Sequence, residues 1–194
     1  RLSFQIGYMR IAVYSGSFNP LHIGHLAIVR QLLEKEGFDK VYLVVSPKNP
    51  LKDNIDISSA PARLEAARKA VVRRGLQENV VVDDIEFRMP APHYTVRTLD
   101  AHREREPQNA FTLIMGSDQI ADIRRWRYYG RILSEYGVLV YPREGFDNEA
   151  VAADLLNENP QYRIGIMDAM KVDVSSTMIR EGLSRGEDMS PYFF

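Results

Sequence analysis

Short apolar runs alternate with stretches of helical periodicity along nearly the whole chain, and that alternation limits the fold more than any other feature. The runs are Arg10–Ser15, Lys40–Val45, Val80–Val82, Ala110–Met115, Gly137–Tyr141 and Arg163–Met167. A run such as Lys-Val-Tyr-Leu-Val-Val45 does not alternate with polar residues, so it belongs to a strand buried on both faces. Strands separated by helices pair in parallel, because the crossover needs a helix's length of chain. The expectation is an α/β fold: a doubly wound, mostly parallel sheet with helices on both faces. Helices are expected over Ile23–Glu36, closed by Gly37, from about Ser58 to Arg74, closed by Gly75, and over Asn148–Asn157. Asp83–Met89 reads as an extension of the third strand.

At 194 residues the chain fits one domain. That domain is expected over residues 9–194, with Met9 as the native start and residues 1–8 a remnant ahead of it. A net charge of −1 argues against a general binder of nucleic acid or anionic membrane. No apolar run reaches membrane-spanning length. With no cysteine there is no disulfide framework and no thiolate chemistry, and a cytoplasmic protein is expected.

The chemistry gathers at the ends of the apolar runs. Ser15-Gly-Ser-Phe-Asn-Pro-Leu-His-Ile-Gly-His25 follows the first run and leads into the first helix. A strand, a Gly-containing polar turn and a helix start form an arrangement whose backbone N–H groups hold phosphate. His22 and His25, three residues apart, share one face of a first helical turn. Gly16 is expected to allow the tight turn and Gly24 to let a ligand come close. Two surface histidines beside an ordinary turn are the bland alternative, disfavoured because both flank a glycine directly after the strand.

Lys48 and Lys52 follow the second run, where ligands of open α/β sheets bind. Arg63 sits on the first turn of its helix, as an anion neighbour or as a solvent-facing side chain. Thr95 is expected to cap the helix that follows it. Gly116-Ser-Asp118 ends the fourth run, where Asp118 could touch a ligand or cap the next helix. Trp126, the single tryptophan, is a core anchor or a ring platform. Ser175, Ser176 and Thr177 open a helix with Arg180 one turn later, a phosphate cradle with a cation. No Ser-His-Asp or Cys-His set and no carboxylate cluster with metal-cage spacing is visible.

GSFNPLHIGH resembles the HxGH signature of the nucleotidyltransferase superfamily, and in particular the nicotinate (or nicotinamide) mononucleotide adenylyltransferases. Further stretches match in order. Asn49-Pro-Leu-Lys52 is similar to the family's Pro-rich loop, and Tyr94-Thr95…Thr98-Leu99 to its Tyr-Thr…Thr-Leu segment. Gly116-Ser-Asp118 resembles its Gly-x-Asp, with Trp126 eight residues on. Val174-Ser-Ser-Thr-Met-Ile-Arg180 is similar to Ile-Ser-Ser-Thr-x-Ile-Arg.

The resemblance implies a Rossmann-like fold and an enzyme of NAD biosynthesis that transfers AMP from ATP to nicotinate mononucleotide. It implies catalytic roles for His22, His25 and Arg180. It implies ATP contacts from Ser15, Gly16, Ser17, Phe18, Gly24, Lys52, Gly116, Asp118, Ser175, Ser176 and Thr177. Tyr94, Thr95 and Trp126 would then meet the pyridine nucleotide. Mg²⁺ would arrive on the ATP phosphates, with no protein metal site. Asn19 stands where many bacterial members have Asp, and the chain stops at Phe194 where members usually continue with another helical segment. Phosphopantetheine adenylyltransferase and a non-catalytic nucleotide-binding module on the same fold are the alternatives. The strength of preference for the nicotinate nucleotide, a homo-oligomeric state, and the roles of Asn19, His93 and Lys48 stay open.

Overall fold

The computed structural model describes residues 8–47, 60–170 and 172–194. Lys48, Lys52 and the expected helix start at Ser58 lie outside the described residues. The strands are β1 (Arg10–Gly16), β2 (Lys40–Val45), β3 (Val80–Asp83), β4 (Ala110–Gly116), β5 (Val138–Tyr141) and β6 (Ile164–Ile166). They form one sheet in the order β3-β2-β1-β4-β5-β6, and every pair is parallel. The helices are α1 (Ile23–Glu34), α2 (Ala60–Arg73), α3 (Thr95–Arg105), α4 (Ser117–Ala121), α5 (Tyr129–Arg131), α6 (Asn148–Glu158) and α7 (Ser176–Ser184).

Side-chain alternation along β1 divides the core. Ala12 and Tyr14 face a cluster with Leu26, Val29, Leu32, Leu64 and Val71 from α1 and α2. Ile11 and Val13 face the other way, onto Val96, Leu99, Ile120, Ile132 and Leu155. Both faces of the sheet are therefore covered, as the unbroken apolar runs require. The order reverses between β1 and β4: β1 leads toward β2 and β3, and β4 toward β5 and β6. Such a switch point opens a crevice at the carboxyl ends of the strands, where ligands of these sheets bind.

Three expectations change. The third strand does not run on to Met89. Its last residue, Asp83, accepts the Ile85 N–H at 3.0 Å, which turns the chain into a 3₁₀ helix over Ile85–Arg88. Helix α1 stops at Glu34, and Gly37 with φ +73° reverses the chain beyond it. Thr95 does not cap α3: Tyr94, with extended backbone, holds that place, and Thr95 is the first helical residue.

Candidate active site

The stretch from Ser15 to His25 leaves the end of β1 and enters α1, at the switch point. Phe18 sits there with φ +48°, a strained conformation for a bulky residue. Its ring is buried edge-on against Tyr14 at 5.4 Å and His25 at 5.2 Å. Gly16 has no part in a left-handed turn. Its open face receives the Phe18 ring, which a Cβ would approach to 3.1 Å.

His22 is the N-cap of α1. Its Nδ1 accepts the Gly24 N–H at 3.0 Å, and the His22 N–H donates to Nδ1 of His25 at 3.1 Å. This is a capping box built from imidazoles in place of Ser and Glu. The two rings stack with centroids 3.7 Å apart. A neutral imidazole that accepts at Nδ1 carries its proton on Nε2, so each ring keeps one N–H donor. Burial, aided by the Arg143 charge, lowers His22 to about 4. Burial, then His22 and Arg143, holds His25 well below the ordinary range. Both are neutral donors near pH 7. Gly24 serves this pair: a Cβ there would lie 2.8 Å from the His22 ring and 3.3 Å from Val174, so the packing of protein groups already calls for glycine at this place.

The start of α7 meets the same loop. Ser175 caps α7 by accepting the Met178 N–H at 3.1 Å. Ser176 Oγ donates to Pro20 O at 3.0 Å, and Arg180 donates to Asn19 O at 2.6 Å and Thr177 Oγ1 at 3.2 Å. Two helix N-termini, each with unpaired N–H groups and a positive dipole end, thus flank residues 19–25. From another side, Phe193 forms an antiparallel bridge with His22 and Phe194 donates to Leu21 O at 3.4 Å.

Asp118 lies in the first turn of α4, where the Gln119 side chain, not Asp118, satisfies the Gly116 N–H at 2.8 Å. The carboxylate pairs instead with Arg143 at 3.6 Å. Arg63 is buried, against the solvent-facing alternative, and donates to the carbonyls of Ser17, Ser46 and Pro47, tying the loops after β1 and β2 together. Ser46 Oγ lies 3.4 Å from Ser15 Oγ and donates to the buried Glu86 at 2.9 Å. Thr98 Oγ1 reaches Glu86 at 3.3 Å, so this carboxylate joins the loop after β2 to α3. Burial pushes the Glu86 carboxyl above its ordinary range.

Tyr94, the N-cap of α3, and Trp126 share one core cluster. Both pack half-buried on the second core cluster, and the Arg127 guanidinium spans the rings of Tyr94 (5.7 Å) and Tyr128 (5.3 Å). Arg97 lies over Tyr94 at 5.4 Å. His93 bonds Met89 O at 2.9 Å within its own loop. Sequence reasoning assigned nothing to Arg143, Ser117, Glu86 or Arg127. Arg143 carried a usable signal, since it follows the carboxyl end of β5 by two residues.

A family model described as cytidylyltransferase-like matches residues 13–182. A Flavobacterium johnsoniae protein, named as a probable nicotinate-nucleotide adenylyltransferase, is 36% identical over 183 residues, covering 94% of this chain and 91% of that one. A Bacteroides fragilis protein of the same name is 39% identical over 180 residues, covering 93% and 85%. Among solved structures, Plasmodium falciparum nicotinic acid mononucleotide adenylyltransferase complexed with NaAD superposes with a TM-score of 0.77 at 17% identity, covering 96% and 91%. Fold and family model together define a cytidylyltransferase-like nucleotidyltransferase. Within that class the chain belongs to the nicotinate-nucleotide adenylyltransferases.

Proposed function

We propose that the chain transfers AMP from ATP to nicotinate mononucleotide, giving nicotinate adenine dinucleotide and pyrophosphate, in the cytoplasm. The observation that carries this reading is the meeting of two helix starts on one loop, with two neutral, stacked imidazoles at its end. Such a set supplies donors to phosphate oxygens and no nucleophile of its own. Phosphoryl chemistry needs little more than positioning and charge stabilisation.

A phosphate oxygen of the mononucleotide attacks the α-phosphorus of ATP in line. The bond from that phosphorus to the oxygen of the β-phosphate breaks, and pyrophosphate carries the electron pair away. The Nε2–H groups of His22 and His25 donate to phosphate oxygens, His25 to those of the α-phosphate, where charge grows. N–H groups and hydroxyls of Ser175, Ser176 and Thr177 cradle the triphosphate with Ser17. Arg180 and Lys52 add charge, as does Arg143 from the opposite wall. Asp118 and Gly116 border the adenylate, while Tyr94, Thr95 and Trp126 hold the pyridine ring. Mg²⁺ would arrive on the ATP phosphates, and the donors present, N–H groups, hydroxyls and cations, suit phosphate oxygens.

The test is pyrophosphate release from ATP with nicotinate mononucleotide, nicotinamide mononucleotide and phosphopantetheine as rival acceptors. Turnover is expected with the nicotinate nucleotide first and the nicotinamide nucleotide second. Turnover with phosphopantetheine alone, or with no acceptor at all, would overturn the reading.

A further inference from the structure

Arg143 is exposed, yet it is held from several directions. Ser117, fully buried, accepts the Arg143 N–H at 2.7 Å and donates to Tyr141 O at 3.5 Å. That fixes the backbone on either side of Pro142. The guanidinium lies 5.5 Å from the Tyr141 ring centroid and 3.6 Å from Asp118. The Tyr141 ring is itself buried, seated on the end of β4, where the sheet register pairs it with Gly116. A Cβ on Gly116 would stand 2.9 Å from that ring, so only glycine leaves room for it. On its other neighbour the ring meets Tyr14 at 5.9 Å, and Tyr14 meets His25 at 6.0 Å. The row Arg143, Tyr141, Tyr14, His25 therefore crosses the switch point from β5 to α1.

We propose that Tyr141 is a positioning residue for the transfer reaction: it seats the Arg143 guanidinium beside the two imidazoles and, through Tyr14, ties that seat to His25. The proposal rests on the adenylyl-transfer reading for its kinetic consequence, and for its electrostatic one on the row of rings together with the Arg143 charge felt at the imidazoles. Besides burial, Arg143 acts on both imidazoles and His22 acts on His25, with Asp118, Tyr14 and Tyr141 acting on Arg143. Burial first and the Arg143 charge second push His22 down to about 4, so releasing the guanidinium lets His22 regain the second part of that shift.

Tyr141→Leu removes the ring and Tyr141→Phe only the hydroxyl. In substrate-free protein, proton NMR titration is expected to place the His22 midpoint about one pH unit higher in Tyr141→Leu and less in Tyr141→Phe. With ATP and nicotinate mononucleotide, kcat/KM should fall about tenfold in Tyr141→Leu. Added to Arg143→Gln, the same substitution should cost almost nothing more, because it acts through a guanidinium already gone. An unchanged His22 midpoint together with additive kinetic losses would make Tyr141 a core side chain only and overturn the proposal. A wild-type protein that turns over neither pyridine nucleotide would instead overturn the reaction, while the titration still judges the seat.

Discussion

The two ends of the candidate site are built by different means. At the phosphate end, the proposed ligand-binding groups also hold the fold together. His22 caps α1, His25 accepts a backbone N–H, Ser175 caps α7, and Arg180 and Ser176 bind carbonyls of the neighbouring loop. At the proposed acceptor end, Arg127 lies over the rings of Tyr94 and Tyr128, Trp126 packs half-buried on the second core cluster, and Thr95 caps nothing. A site whose donors are fixed by backbone bonds is preorganised, and it reorganises little as charge develops. A site lined by half-buried rings yields instead to the shape of its ligand. Substitutions at the first end should therefore disturb chemistry, and structure as well wherever the lost group is a helix cap. Those at the second should alter binding of the acceptor more than the chemistry.

The largest expected effect is at His25. Removing one donor to charge that grows in the transition state costs on the order of 3 kcal/mol, about a hundredfold in rate. His25→Ala should lower turnover by that much and weaken ATP binding far less, in single-turnover kinetics and equilibrium titration. It also frees the His22 N–H, so thermal stability should drop by about 1 kcal/mol in the same variant. Normal turnover in His25→Ala would break the comparison at its strongest point.

Arg180 comes next. It is exposed, and its contacts are to Asn19 O and Thr177 Oγ1, so losing it costs the fold little. Arg180→Ala should lower kcat/KM for ATP by about ten- to a hundredfold, and Arg180→Lys should restore part of it, because an ammonium keeps the charge and loses the fork. Full specific activity in an unstable Arg180→Ala protein would make the residue structural.

The sheet was legible because Val41–Val45 and its counterparts are buried on both faces and so carry no polar alternation. The end of β3 was not, since one carboxylate turning onto the next N–H looks like any other residue of a strand. The His22 and His25 pair was legible from spacing after a strand and turn. Its use as a cap was hidden, because imidazoles seldom fill that place. The same holds for Gly24, whose neighbour is the His22 ring it sits beside. Ser117 and Tyr141 depend on the register of β4 against β5, which puts Gly116 beside Tyr141 and which no local stretch encodes. Arg127 and Tyr94 lie far apart in sequence, so no local stretch announces that they meet.

At the acceptor end the test is Trp126→Ala. An indole face attracts a pyridinium ring by its quadrupole as well as by area, with about 1–2 kcal/mol at stake. The Michaelis constant for nicotinate mononucleotide should rise about five- to twentyfold, with that for ATP nearly unchanged. Varying each substrate in turn at saturating levels of the other measures both. Because Trp126 is half-buried on the second core cluster, some stability is lost as well, so the ratio of the two constants is the deciding quantity. An equal rise in both would return Trp126 to a core anchor and erase the difference between the ends.

The smallest effect separates the ends most directly, because it needs no substrate. Ser175 and Thr95 are both hydroxyl residues at helix starts, and both are proposed to meet ligand. Ser175 Oγ accepts the Met178 N–H at 3.1 Å, whereas Thr95 stands one residue inside α3, behind Tyr94 as the N-cap, and its hydroxyl makes no cap bond. Losing a side-chain cap costs about 1 kcal/mol. Ser175→Ala should therefore unfold at lower denaturant, by about that free energy, with the slope unchanged. Thr95→Ala should stay within about 0.5 kcal/mol of the parent, since alanine is the better helix former inside a first turn. Measured side by side in urea, the pair weighs one structural hydroxyl against one that is free for other work. Equal losses would mean that Thr95 is bound into the fold as firmly as Ser175, and the contrast between the two ends would fall with it.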